Sequence, residues 1–451
     1  MKRTLASESL ADLWEPLARA NAAFARRHPG DGPRRQPVQT LYGGAHLFAR
    51  DVAPRMGELA LGALDDHAPD PAAFAAALGL DVAPPLAARI YERVREKLRS
   101  EPVEDVRADF EDGYGNRPDE EEDGHAVSVA EEMAAGARDG TLPPSFGIRI
   151  KPLTDELRQR SARTLDLLVT TLVERSGGAL PAGFVVNLAK VTVPEQMAAM
   201  AALLERLERS LGLAEGALRF EMMVETPQAI VADDGGIALP RLLDAAGGRC
   251  VAAHFGTYDY TAASNITAAH QHMNHPACDF ARQVMQLSFA GTGVTLSDGA
   301  TNVLPVGPHR AAPGELLTPA QRAENRAVVH RAWRLQREHV HHSLVLGFYQ
   351  GWDLHPAQLP SRYGTVYAFF LEALPAASAR LRHFVEQAAR ATLAGDVMDD
   401  AATGQGLLNF FLRAIDCGAV TEAEALPLTG LTGQELRLGS FVKILQARSA
   451  R

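Results

Sequence analysis

Short apolar runs alternate with longer helical stretches along this chain. Eight runs have the length and composition of strands: Val38 to Tyr42, Val106 to Phe110, Phe146 to Ile150, Phe184 to Lys190, Leu218 to Val224, Val251 to Phe255, Gly293 to Leu296 and Leu344 to Tyr349. Several are followed by helical periodicity. Leu165, Leu168, Val169, Leu172 and Val173 share one helix face. Thr192-Val193-Pro194-Glu195 reads as a capping box, and the helix it opens carries Met197, Met200, Leu204, Leu207 and Leu211 on one side.

Polar residues close these runs at an even pace. Glu111, Arg149, Lys190, Glu225, Asp259 and Asp298 are separated by 38, 41, 35, 34 and 39 residues. Successive strand-helix units produce such spacing, and eight of them close a barrel. A doubly wound sheet would repeat as well, so the barrel rests on the count and on the motifs below. No Gly-x-Gly-x-x-Gly or phosphate-loop pattern follows any run. The expected organisation is a helical segment over 1–35, a (β/α)₈ TIM barrel over 36–361 and an α-helical extension over 362–451. That extension is helical by pattern from Val366 to Leu374 and Leu381 to Leu393, with breaks at Gly395, Gly404 and Gly406. It would pack on the barrel or on a neighbouring subunit. Asp119-Glu120-Glu121-Glu122-Asp123-Gly124 reads as a solvated acidic loop.

Composition narrows the classes. The net charge of −10 gives no footprint for nucleic acid. No apolar run approaches the roughly 20 residues that span a bilayer, and Met1 to Glu8 lacks the apolar core of a signal peptide. Cys250, Cys278 and Cys417 are scattered and odd in number, which favours a reducing, cytoplasmic setting.

In a barrel, strand C-termini converge on one mouth. Glu225 and Asp259 would then lie side by side on neighbouring strands, two hard oxygen donors suited to Mg²⁺, or Mn²⁺ in its place, with water completing the shell. Arg149 can hold a carboxylate or a developing oxyanion with its planar fork. Glu111 and Asp112 would orient metal waters or bind the metal directly. Lys190 is a rim charge or a Schiff-base lysine, the metal making the second role unnecessary. Gly256 and Thr257 are candidate substrate contacts. Asp298 is a turn aspartate before Gly299 or a base lining the mouth. His355 is a catalytic imidazole or a strand-end cap. Tyr42-Gly43-Gly44-Ala45-His46 is a turn or a close-approach loop. His270, His272 and His275 have zinc-like spacing but no acidic partner, so a substrate-facing loop or subunit contact is the stronger reading.

At these residues a resemblance emerges. Asp109-Phe110-Glu111-Asp112 resembles the second strand of the citrate lyase beta-subunit family and of malate synthases. Ile148-Arg149-Ile150-Lys151-Pro152, Val224-Glu225-Thr226-Pro227 and Gly256-Thr257-Tyr258-Asp259-Tyr260 resemble the arginine strand and the two metal strands of that superfamily. Leu346-Gly347-Phe348 with His355-Pro356-Ala357-Gln358 resembles its eighth strand. The match spans roughly residues 100 to 360. It implies a phosphoenolpyruvate/pyruvate-type barrel with Mg²⁺ on Glu225 and Asp259 and Arg149 at the substrate oxygen. The related class II pyruvate aldolases carry Glu-His where this chain has Glu111-Asp112, so their proton-transfer histidine is absent. The expected activity is a Mg²⁺-dependent carbon–carbon bond lyase acting through an enolate on a small 2-oxo or hydroxy acid or its acyl thioester. The alternatives are a malate-synthase-like condensation of acetyl-coenzyme A with a 2-oxo acid, phosphoryl transfer on phosphoenolpyruvate and, in another class, a non-catalytic binding or assembly barrel. The expected partners are a small anionic substrate, a coenzyme A thioester among them, and further copies of the chain in a trimer or hexamer.

Overall fold

Eight parallel strands pair in chain order, and the first closes on the last to complete a barrel. They are β1 (Gln39–Gly44), β2 (Asp105–Asp109), β3 (Ser145–Ile150), β4 (Phe184–Leu188), β5 (Phe220–Val224), β6 (Cys250–Phe255), β7 (Thr295–Ala300) and β8 (Gln350–Asp353). This computed structural model describes residues 10–30, 35–312, 314–386, 392–394, 397–399 and 401–449. The strands read as apolar runs because helices cover them outside while the bore is filled inside; β2, β4 and β5 are buried along their whole length.

Helix α1 (Ala11–Arg27) precedes the barrel and is exposed along its length. Three helices, α2 (Val52–His67), α3 (Pro71–Leu78) and α4 (Pro84–Ser100), lie between β1 and β2. The next crossovers carry α5 (Asp119–Asp139), α6 (Arg158–Arg175) and α7 (Pro194–Leu211). Shorter pieces, α8 (Pro227–Ile230), α9 (Leu239–Ala245) and α10 (Thr257–Ala263), flank β6, and α11 (Pro276–Phe289) and α12 (Pro319–Val345) flank β7. No helix among the described residues is long and apolar enough to cross a membrane.

Three expectations change. The run Leu344 to Tyr349 is not the eighth strand: α12 continues through Val345, and Gly347, at φ +84°, turns the chain into β8, which starts six residues beyond the start of that run. A short apolar run at a helix end has no period of its own to separate it from a strand. The acidic stretch 119–124 is the first turn of α5, where negative side chains favour a helix N-terminus. Within it Glu122 is only 1 % exposed, accepting from Lys151 Nζ and Thr164 Oγ1, each at 2.6 Å. In the tail, α13 (Leu359–Glu386) runs straight through position 361. Thr392–Ala394 and Val397–Asp399 then pair as a small antiparallel hairpin, and Gly404 and Gly406 lie inside α14 (Ala401–Asp416) rather than breaking it. Gly395 lies outside the described residues.

The tail packs on its own barrel. After α14 come α15 (Glu422–Thr429), α16 (Gly433–Arg437) and α17 (Phe441–Ser449). Leu408, Phe411, Val420, Phe441 and Ile444 join the hydrophobic core. Glu424 receives Arg93 of α4 at 2.6 Å, and Tyr367 of α13 donates to the Cys417 carbonyl at 3.0 Å.

Packing between β3 and β4 leaves no room at Gly147, where a Cβ would fall 1.7 Å from the Val185 carbonyl oxygen. Gly147→Ala should therefore cost about 3 kcal/mol or more. Gly124→Ala, in open space on α5, should be neutral or stabilise by roughly 0.5–1 kcal/mol. Urea unfolding midpoints compare the two.

Candidate active site

Side chains alternate across each strand, so every second residue enters the bore. Asp105, Arg107 and Asp109 on β2 do so, between Val106 and Ala108, which face the helices. Arg107 reaches across the barrel to Glu221 on β5 at 2.9 Å and also binds Asp105. Glu221 accepts from His254 Nε2 on β6 at 3.0 Å, while His254 Nδ1 accepts from the Trp352 indole at 3.3 Å, which places the imidazole proton on Nε2. Burial alone would raise the Glu221 carboxyl, but Arg107 and His254 outweigh it and hold it well below its usual range. Above this tier Tyr42 and Trp352 stack with centroids 4.3 Å apart and form a floor.

The mouth of the barrel begins on that floor. The Arg149 guanidinium sits 5.1 Å from the Tyr42 ring centre and 5.8 Å from that of Trp352. Nε and Nη2 of Arg149 grip both oxygens of Asp109 at 2.7 and 2.6 Å. Asp109 also accepts from the N–H groups of Glu111 and Gly113 at 2.9 and 2.7 Å. Nη1 of Arg149 remains on the mouth side, 3.5 Å from Glu111.

Around this pair stand four carboxylates. Glu225, at the end of β5, is 1 % exposed and accepts the Lys190 backbone N–H at 2.7 Å. Gly256, at the end of β6, backs it closely: a Cβ there would fall 2.4 Å from Glu225 Oε2. Asp259, in the first turn of α10, is 40 % exposed and lies 3.6 Å from Lys190 Nζ. The Lys190 ammonium also binds Glu111, and Asp112 at 3.0 Å. Burial and the Asp259 charge push the Glu225 carboxyl up to about 8 against the pull of Arg149 and Lys190. Burial lifts Glu111 above its usual range despite Arg149 and Lys190. For Asp112 burial acts the same way, but hydrogen bonding to Glu111 and the Lys190 charge win and lower it.

Arg149, Glu111, Asp112, Lys190, Glu225, Asp259 and Gly256 thus come together; three other candidates do not join them. Asp298 lies within β7 but faces outward, bound to Arg282 of α11 at 2.9 Å and Ser343 of α12 at 2.5 Å, so it neither caps a turn nor lines the mouth. His355 caps the 3₁₀ turn after β8: its Nδ1 accepts from the Ala357 N–H at 3.1 Å. Thr257 is buried with its hydroxyl on Met273 Sδ at 3.4 Å. His275 caps α11, its Nδ1 accepting the Ala277 N–H at 3.2 Å. Sequence reasoning missed the Tyr42–Trp352 floor and the Arg107–Glu221–His254 network. The charged side of β2 carried a legible signal, since Asp105, Arg107 and Asp109 fall at every second position.

A family model described as Domain of unknown function (DUF6986) matches residues 17–444. The chain belongs to this family. No curated protein matches it in sequence. Among solved structures, this DUF6986 chain is similar to a citrate lyase from Burkholderia xenovorans LB400 at 18 % identity and TM-score 0.55, covering 88 % of this chain and 98 % of that one. A malate synthase from Haloferax volcanii is similar at 13 % identity and TM-score 0.48, covering 91 % of this chain and 98 % of that one. At these identities the citrate lyase likeness establishes the shared barrel and nothing finer.

The Glu225 shift has a measurable consequence. In the unfolded chain its carboxyl ionises near 4.5, whereas in the folded, metal-free protein it keeps its proton to about 8. Across that window the unfolded state loses its proton first, so stability falls as pH rises. Thermal midpoints recorded in chelator from pH 4.5 to 8 should show this fall, and Glu225→Gln should remove it. Equal slopes in the two proteins would exclude the buried, protonated Glu225.

Proposed function

We propose that this protein is a Mg²⁺-dependent carbon–carbon bond lyase acting on a small 2-oxo or hydroxy acid or its acyl thioester. The carrying observation is the buried Glu225 carboxylate beside Asp259, in a mouth with more carboxylates than cations. Arg149 is committed to Asp109, which leaves Lys190 as counter-ion to Glu111, Asp112, Glu225 and Asp259. Hard oxygen donors in anionic excess fit a small divalent cation, and Gly256 keeps the space beside Glu225 open. Glu225 and Asp259 would hold it. A bound Mg²⁺ supplies Lewis-acid polarisation of a substrate carbonyl.

The chain's own residues do the rest. Asp109 fixes the guanidinium plane of Arg149, so that its Nη1 edge faces the mouth and can receive a carboxylate or a developing oxyanion. Tyr42 and Trp352 wall the site from the bore below and exclude water there. Glu111 is placed to hold or move a proton at its carboxyl oxygens, beside Asp112, which stands where class II aldolases carry the histidine of their Glu-His pair; burial raises the Glu111 proton affinity towards what an acid–base group needs. The citrate lyase name of the fold neighbour agrees with carbon–carbon bond cleavage. A condensation of acetyl-coenzyme A with a 2-oxo acid uses the same parts and is the second reading.

Glu225→Ala and Asp259→Ala should each weaken Mg²⁺ binding by about 100-fold or more, since even outer-shell partners of metal ligands are worth 10–100-fold. Calorimetric titration of folded variants measures this, and unchanged affinity removes the site. Pyruvate released from a hydroxy-oxo acid without any thiol identifies the lyase, while thiol release on mixing acetyl-coenzyme A with glyoxylate identifies the condensation.

A further inference from the structure

We propose that the Lys190 ammonium is a built-in counter-ion that competes with a divalent cation for the Asp259 carboxylate. The inference rests on the reading of Glu225 and Asp259 as the metal pair. Lys190 is one of two described non-glycine residues with positive φ, at 48°, a conformation that L residues rarely adopt. That backbone serves two ends. It points the Lys190 N–H at Glu225 Oε1, 2.7 Å away, and it sends the side chain across the mouth from the end of β4 to the acids at the end of β2. The ammonium thereby meets carboxylates from both sides, Glu111 and Asp112 on one and Asp259 on the other.

Among the described residues no other cation forms an ion pair with Asp112 or Asp259. Arg149 spends two of its nitrogens on Asp109 and approaches only Glu111 beyond it. In the metal-free protein burial would lower the proton affinity of the lysine, but the Glu111 hydrogen bond and the charges of Glu225, Glu111 and Asp259 hold it above the ordinary lysine range. What changes is its set of partners. With a dication between Glu225 and Asp259, two positive charges would share one carboxylate within a few ångströms, and Coulomb repulsion at that range is large in a half-buried site. The ammonium then retracts to Glu111 and Asp112, its partners on the other side. Metal occupancy and the electrostatics around Glu111 are coupled through one side chain, and the coupling is reciprocal.

The test is Mn²⁺ titration of the full-length, metal-free protein, with free Mn²⁺ counted by electron paramagnetic resonance, so that no turnover is needed. Lys190→Met keeps the length and removes the charge; it should bind Mn²⁺ about tenfold more tightly or better than the parent, with Lys190→Arg, which keeps the charge, close to the parent. Thermal midpoints give a second readout. Lys190→Met should melt lower than the parent in chelator and gain more on adding Mn²⁺; should it fail to fold without metal, Lys190→Gln takes its place in both measurements. Equal or weaker Mn²⁺ binding by the uncharged variants, beside a parent that binds, overturns the competition and makes Lys190 a residue that gathers the site. Absence of binding in parent and variants alike overturns the metal pair itself.

Discussion

The bidentate ion pair between Arg149 and Asp109 joins β3 to β2 above an aromatic floor, and the rest of the mouth is arranged around it. Two charges taken out of water repay their desolvation only when geometry is good and remaining donors and acceptors are met. Here Asp109 accepts from the guanidinium on both oxygens and from two backbone N–H groups. Removing either partner would leave an uncompensated buried charge, typically about 3–5 kcal/mol of destabilisation. The pair also spends the arginine. Its positive charge is neutralised at short range, so the carboxylates further up the mouth depend on another cation.

Below the floor the same rule is met by closure. Arg107, Asp105, Glu221 and His254 bind one another across the bore, with the Trp352 indole supplying the remaining donor to His254. Ionised groups survive in this interior because each has a partner of opposite charge or a hydrogen bond. On the outer surface of the strands, Asp298 with Arg282 and Asp353 with Arg362 pin β7 and β8 to the helix layer in the same way.

The mouth is where closure stops. Among the described residues no side-chain cation lies within hydrogen-bond reach of the buried Glu225, and burial together with Asp259 drives its proton affinity up. Such an imbalance in a cleft marks a working site more often than a structural one. The neighbouring Glu111 and Asp112 are pushed in opposite directions by one environment, a division that suits one carboxyl to carrying a proton and the other to remaining ionised. Lys190 is the side chain that touches both the Glu111–Asp112 corner and Asp259.

Strand-to-strand rhythm was legible in the amino-acid order because both faces of a barrel strand are buried, which compels apolar runs, and because each crossover consumes a similar length of chain. The same rhythm carried Glu111, Arg149, Lys190, Glu225 and Asp259 to one rim, since strand ends in a closed parallel barrel have no other place to go. What the order could not decide was phase. Asp298 ends a run like its neighbours yet faces the helices, because the inward or outward sense of a position depends on stagger between strands, and β7 and β8 are irregularly registered. Glu122 looked like part of a solvated acidic stretch until the fold brought Lys151 and Thr164 to it from distant segments. Proton affinities followed the same division: which carboxyls exist is written along the chain, but desolvation and neighbouring charge arise only when eight strand ends meet.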